Sequence, residues 1–272
     1  MEKNIKKFDS QLYKGTHEYY ARYRPNIPER VINIIVKHFN IKPSDRILDI
    51  GCGTGQVALA MDGKCGEMVC LDPDPEMLKW AKKLTKNCKT KLTWLNYRAE
   101  DLGKIKAKLG TFKLATICGA FHWMDQKQVL DDLNELIEED GGLAVFGDGV
   151  LWGGGEEWQQ ALKRVIQKYL RGKSHVGKER PIEPDELWEN IIARSVFRFV
   201  KTHDVPAKRT WNVESVIGYI FSTAAAAPSL FGDQLDRFKE ETKNILLSIN
   251  PKGIFVENAV WSIVLGSKKP RD

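Results

Sequence analysis

Apolar side chains at Val31, Ile34, Ile35 and Phe39 recur at three- and four-residue spacing. Residues 29–39 are therefore predicted to form an amphipathic helix, with Pro25 and Pro28 fixing its approach and Pro43 marking its exit. His38 falls at the edge of that apolar face. From Arg46 the rhythm changes. Short, near-continuous apolar runs at 46–50, 67–72, 91–97, 112–118 and 142–147 alternate with helical patterns. Such runs suit parallel strands covered on both faces. The helix after the second run has Asp74 in N-cap position and Pro75 at the first helical position, and buries Met77, Leu78, Ala81 and Leu84. The helix after the fourth run starts at Asp125, with Gln128 in capping-box spacing. It turns Val129, Leu130, Leu133, Leu136 and Ile137 inward and is expected to stop at Gly141-Gly142. This alternation predicts an α/β chain with a doubly wound parallel sheet.

The alternation lapses after Gly149. Residues 150–195 begin with a glycine-rich link, Trp152 to Gly155, and then read as helices carrying Trp158, Tyr169 and Trp188. Residues 196–203 and 258–266 read as strands, and Val213 to Ile249 is largely helical. The expected organisation is a core over 1–149 with an N-terminal helical segment, a helical insertion or lid over 150–195, and completion of the sheet over 196–272 with a helical insert at about 212–250.

Composition narrows the class of protein. In 272 residues the apolar fraction of 42% and the charged fraction of 29% allow a sizeable core in a soluble chain. No apolar run approaches the roughly 18 residues of a membrane span, and no apolar stretch follows the charged start, so no membrane contact and a cytoplasmic location are expected. Five cysteines without paired C-x-x-C spacing suggest reduced thiols, with neither a zinc site nor a disulfide framework. The net charge of +6 is spread along the chain, with small clusters at Lys3–Lys7 and Arg171–Arg180, so no nucleic-acid partner is expected.

The chemistry is concentrated in Arg46 to Gln56, where a short apolar run carries Asp49 near its end and is followed by Gly51, Gly53 and Gly55. Run, glycine-rich turn and helix are the parts of a nucleotide-cradling unit. Asp72 ends the next run, about 20 residues on, where a carboxylate can hold ribose hydroxyls. Gly53-x-Gly55-x-x-Ala58 formally satisfies a dinucleotide pattern, so the glycines alone do not choose the cofactor. Asp49 bears on the choice. A carboxylate at the strand end repels a pyrophosphate over the loop and suits a ligand with an ammonium group, such as S-adenosylmethionine. In open α/β sheets ligands bind beyond the carboxyl ends of the strands. The candidates by that rule are Asp49 to Gln56, Asp72 with Pro73, Ala99-Glu100-Asp101, and Gly119-Ala120-Phe121-His122-Trp123.

The glycine segment and Asp72 closely resemble the first motif and the ribose-binding acid of class I S-adenosylmethionine-dependent methyltransferases. Phe121-His122-Trp123-Met124-Asp125 resembles the F-H-W-F-D stretch of small-molecule methyltransferases similar to trans-aconitate methyltransferase, and Tyr20-Ala21-Arg22-Tyr23-Arg24-Pro25 resembles their Y-A-x-Y-R-P segment. The resemblance covers roughly residues 15–150. It implies a Rossmann-like seven-stranded sheet with the last strand antiparallel, and S-adenosylmethionine as cofactor.

It also implies roles. Asp49 with Gly51, Cys52, Gly53, Gly55 and Gln56 holds the methionine portion, and Tyr20 and Arg24 hold the cofactor carboxylate or cover the site. Asp72, beside Pro73 and Met77, takes the ribose. Ala99 and Glu100, with Asp101 as the alternative acid, meet the adenine. Gly119, Ala120 and Trp123 complete the wall. His122 is the catalytic candidate, either as a base for a hydroxyl acceptor or as a positioning group for a carboxylate. The implied function is methyl transfer to a small molecule, at oxygen by family analogy alone. A non-catalytic binding protein and a methyltransferase for RNA or protein are the alternatives. No metal is called for.

Overall fold

The computed structural model describes residues 13–170 and 186–271. Helices α1 (His17–Tyr23) and α2 (Glu29–Phe39) precede the sheet. Strands β1 (Arg46–Ile50), β2 (Glu67–Leu71), β3 (Lys91–Leu95), β4 (Phe112–Cys118) and β5 (Ile137–Asp148) then alternate with α3 (Gln56–Ala60), α4 (Pro75–Leu84), α5 (Leu102–Leu109) and α6 (Gln126–Leu136). Helices α7 (Glu157–Leu170) and α8 (Trp188–Ala193) lead to β6 (Phe199–Asn212), α9 (Val213–Phe221), α10 (Leu235–Ile249) and β7 (Ile254–Ser267).

The sheet runs β3-β2-β1-β4-β5-β7-β6. The strands β1 to β5 pair in parallel, and β7 is antiparallel to both neighbours. This is the seven-stranded Rossmann-like arrangement of class I methyltransferases. Strand order reverses between β1 and β4, and that switch point is where a crevice opens in such sheets.

Alternation along the buried strands fills two layers. Ile47, Met68 and Leu114 join α2, α3 and α4 on one face. Leu48, Val69 and Ala115 join α5 and α6 on the other. Asp74 caps α4 as its sequence predicts, accepting from the amides of Glu76 and Met77. Asp125 likewise caps α6 by accepting from the Gln128 amide, but the capping box does not close. The Gln128 side chain instead donates to the Glu100 carbonyl at 2.9 Å.

Gly141-Gly142 does not end α6. That helix stops at Leu136, because Ile137 already pairs with Phe112 on β4. Gly142 lies inside β5, where a Cβ would sit 2.2 Å from the Phe39 ring and 2.4 Å from the Gly266 carbonyl. Only bare backbone fits between α2 and β7 at that point.

The expected unit 150–195 divides. Helix α7 packs on α10, and its Trp158 joins Trp152, Trp211, Tyr219 and Phe255 in a third core. Helix α8 packs on the sheet side, where Trp188 meets Phe121 edge-on at 6.2 Å. Residues 171–185 of the expected lid, with most of its basic cluster, lie outside the described residues. The lobe of α7, α9 and α10 rests on the part of the β6–β7 ribbon that runs past β5. Strand β5 pairs with β7 only from Trp261 to Ser267, whereas β6 continues to Ile254.

Candidate active site

A cleft partly open to solvent lies over the carboxyl ends of β1, β2 and β4. Tyr20, Gly51, Gly53, Asp72, Pro73 and Met77 line one part of it. Ala99, Glu100, Gly119, Ala120 and Trp123 line the rest, so four post-strand segments and α1 meet there. Among the other candidates, Asp49, Cys52, Gly55, Gln56, Arg24, Asp101 and His122 do not line it.

The loop after β1 takes positive φ at Gly51, Gly53 and Gly55. At Gly53 (φ 53°) a Cβ would point at the Tyr20 ring, 3.6 Å away. The space between loop and ring exists because no side chain occupies it. Gly53→Val is therefore expected to abolish cofactor binding in isothermal calorimetry, while circular dichroism shows a folded chain, since one positive-φ side chain costs only about 1–2 kcal/mol. Retained affinity would make the loop purely structural.

Asp72 is 7% exposed and already organised. Its Oδ2 accepts from the Gly53 amide at 2.8 Å and its Oδ1 from the Asp74 amide at 2.9 Å. Asn96 donates to the Asp72 carbonyl at 2.9 Å, a support that nothing in the sequence announces. Burial raises the Asp72 carboxyl to about 6, against the lowering effect of the two amides.

Asp49 is fully buried. Thr116 donates to its Oδ1 at 2.7 Å, while its Oδ2 has no hydrogen-bond partner. Burial raises its carboxyl to about 7, and the nearby Asp72 adds to the rise. It does not line the cleft, which corrects the expectation of direct contact. Any influence on a ligand is exerted without contact, by an uncompensated charge in a low-dielectric site.

Arg24 sits between two aromatic rings, 4.7 Å from the Tyr20 centroid and 4.9 Å from that of Tyr219, and its Nε is buried without a partner. It is a cation braced by ring faces. Burial pushes the Tyr13 and Tyr20 hydroxyls above their ordinary range, so both remain protonated donors.

Neither acid expected to meet adenine stands free. Glu100 accepts from the Asp125 amide at 3.0 Å and from Arg98 Nε at 3.3 Å. Asp101 accepts from Lys104 at 2.6 Å and from the Arg98 amide at 3.3 Å. Both carboxylates serve the turns into α5 and α6, which need acceptors for their leading amides.

His122 is exposed on the short turn after β4, its ring tilted 5.0 Å from that of Trp123. Tyr13, Asp74, Arg98, Cys118 and Met124 also line the cleft, although the strand-end rule did not single them out. Cys118 and Met124 flank the segment that the rule selected, so a wider window would have included them.

Residues 47–141 match the family model for the methyltransferase domain. An uncharacterized protein of Methanocaldococcus jannaschii is 33% identical over 213 residues, covering 73% of this chain and 78% of that protein. A probable S-adenosylmethionine-dependent methyltransferase of Saccharomyces cerevisiae is 27% identical over 162 residues, which cover 59% of this chain and 54% of the yeast protein. The chain thus spans about half the length of that relative. The fold is shared with the structure of a methyltransferase from Thiobacillus denitrificans in complex with S-adenosyl-L-homocysteine, with a TM-score of 0.51, 11% identity, and coverage of 95% of this chain and 98% of that one.

The chain carries a methyltransferase domain over residues 47–141, set in a sheet with the class I methyltransferase fold. The cleft of this domain fits S-adenosylmethionine: a loop bare of side chains, a preorganised carboxylate at the end of β2, and an Asp49 oxygen without a hydrogen-bond partner that favours a cationic ligand.

Proposed function

We propose that the acceptor is a small molecule methylated at a carboxylate or hydroxyl oxygen, as in methyltransferases similar to trans-aconitate methyltransferase. The supporting observation is an aromatic contact between two residues that line the cleft. Tyr13, just before α1, meets Trp123, after β4, edge to face with centroids 6.4 Å apart. A cleft with this contact in its lining admits a small acceptor and disfavours a folded protein or a nucleic-acid duplex. No described helix is long and apolar enough to cross a membrane.

The bound cofactor supplies an electrophilic methyl group, and the protein supplies alignment and exclusion of water. In this reading Asp72 takes the ribose hydroxyls and Arg24 attracts the carboxylate of the amino-acid tail. Asp49 favours the tail's ammonium without touching it. Trp123 and Tyr20 close the apolar walls. His122, on the rim beside Trp123, takes the proton of a hydroxyl acceptor.

The test is a panel of carboxylic acids, phenols and amines incubated with S-adenosylmethionine and read by mass spectrometry for cofactor-dependent products. Methylated acids or phenols are expected, and products from amines alone would overturn the oxygen assignment. With a hydroxyl acceptor, His122→Ala is expected to lower turnover by about 10²–10⁴-fold with cofactor affinity unchanged. A nearly wild-type rate on a hydroxyl acceptor would remove His122 as the base.

A further inference from the structure

His17 reads as an isolated histidine in the sequence, but the fold gives it a partner 57 positions away. Its Nε2 lies 2.8 Å from Asp74 Oδ2, and the two side chains are 16% and 6% exposed. The α4 cap does not need that oxygen, because Asp74 Oδ1 alone accepts from Glu76 and Met77. The Asp74 amide, in turn, holds Asp72 Oδ1, and Gly53 holds the other Asp72 oxygen. His17 thus stands at the head of a chain of contacts that ends on the glycine loop.

Helix α1 lies across the cleft as a strap. Tyr13 and Tyr20 line the cleft from above, and the Tyr20 ring faces Gly53 directly. The far end of the strap rests on α9, where Tyr23 donates to Glu214 at 2.7 Å and Arg22 reaches the same carboxylate oxygen at 3.1 Å. Those Arg22 and Glu214 side chains are 63% and 66% exposed, so the ion pair there holds little. The His17–Asp74 pair is better shielded than the Arg22–Glu214 pair.

The geometry points to His17 as a positioning residue for the cofactor: through Asp74 it pins the α1 strap over the cleft and steadies Asp72, and release of this pin governs exchange of S-adenosylhomocysteine for S-adenosylmethionine. The inference rests on the reading of the cleft as the cofactor site.

The experiment measures release of S-adenosylhomocysteine by stopped-flow fluorescence with excess S-adenosylmethionine as the chase. His17→Ala is expected to fold, because alanine is favoured in helices. It should release the product about tenfold faster, the scale of one partly shielded charge-assisted hydrogen bond. His17→Gln, whose amide can donate to Asp74 from a similar position, should return the rate close to wild type. A role through packing of the ring alone would not be rescued in this way. Unchanged release from His17→Ala, or equally fast release from both variants, overturns the proposal. A wild-type chain that binds no S-adenosylhomocysteine removes the cleft reading along with it, whereas normal binding with unaltered release in His17→Ala removes the strap alone.

Discussion

Asp72→Ala is expected to weaken S-adenosylmethionine binding by on the order of 10²-fold or more. One to two hydrogen bonds that a carboxylate accepts from ribose hydroxyls are each worth about 1.5–3 kcal/mol, and about 1.4 kcal/mol is a factor of ten in affinity. The structure adds a second cost. The Gly53 and Asp74 amides lose their acceptor, so the loop and the start of α4 are no longer held in place. Titration calorimetry on the purified variant measures the change. An unaltered dissociation constant would mean that Asp72 braces the loop without touching ribose.

The second large effect is a pH dependence centred on Asp49. Its folded carboxyl titrates at about 7, above the ordinary value of 3.8, because burial disfavours the charged form. A raised carboxyl contributes stability that is fully present below the unfolded value and is lost as pH rises through the folded one. The cofactor-free protein should therefore lose stability from about pH 4 to pH 7 on this account, and Asp72, raised to about 6, adds to the same trend.

Asp49→Asn removes Asp49's share. The variant should be more stable than wild type at pH 8 by on the order of a few kcal/mol, since a tenfold change in proton affinity corresponds to about 1.4 kcal/mol. The difference should shrink toward pH 4. Ligand binding should run the other way. The ionised carboxylate attracts the cationic cofactor, so wild-type affinity should rise with pH through about 7 and the variant's should stay flat and lower. Urea melts of both proteins at pH 5 and pH 8 check the first part, and calorimetry over the same range checks the second. Parallel stability profiles would show that Asp49 does not carry this charge.

Much of the frame was legible because its signals are local. The spacing of Val31, Ile35 and Phe39 predicted α2 at its observed limits. Asp74-Pro75 marked the start of α4, and three glycines after an apolar run marked the cofactor loop. Periodicity, capping and permitted φ are properties of a few neighbouring residues, so a sequence displays them openly.

Other residues misled for the opposite reason. Gly141-Gly142 looks like a helix stop, since glycine commonly ends helices, but Gly142 is glycine because Phe39 and Gly266 press on it. Glu100 lines the cleft as expected of a strand-end acid, but its partners, the Asp125 amide and the Arg98 side chain, are not legible in its neighbours. The stretch 150–195 reads as one helical unit, yet α7 and α8 pack on different parts of the molecule, because each apolar face settles against whichever surface the sheet leaves exposed.

The sequence by itself determined the class I sheet, the cofactor loop, and the strand ends where chemistry collects. Tertiary structure alone decided how the polar groups pair across it. It kept Asp49 out of the cleft lining, placed Arg24 between Tyr20 and Tyr219, and set His17 against Asp74. Secondary structure follows from short-range sterics and hydrogen bonding that each segment carries with it. The partner of a charged side chain depends on which distant segments the hydrophobic core draws together, and on which of its atoms remain in reach of water once they meet.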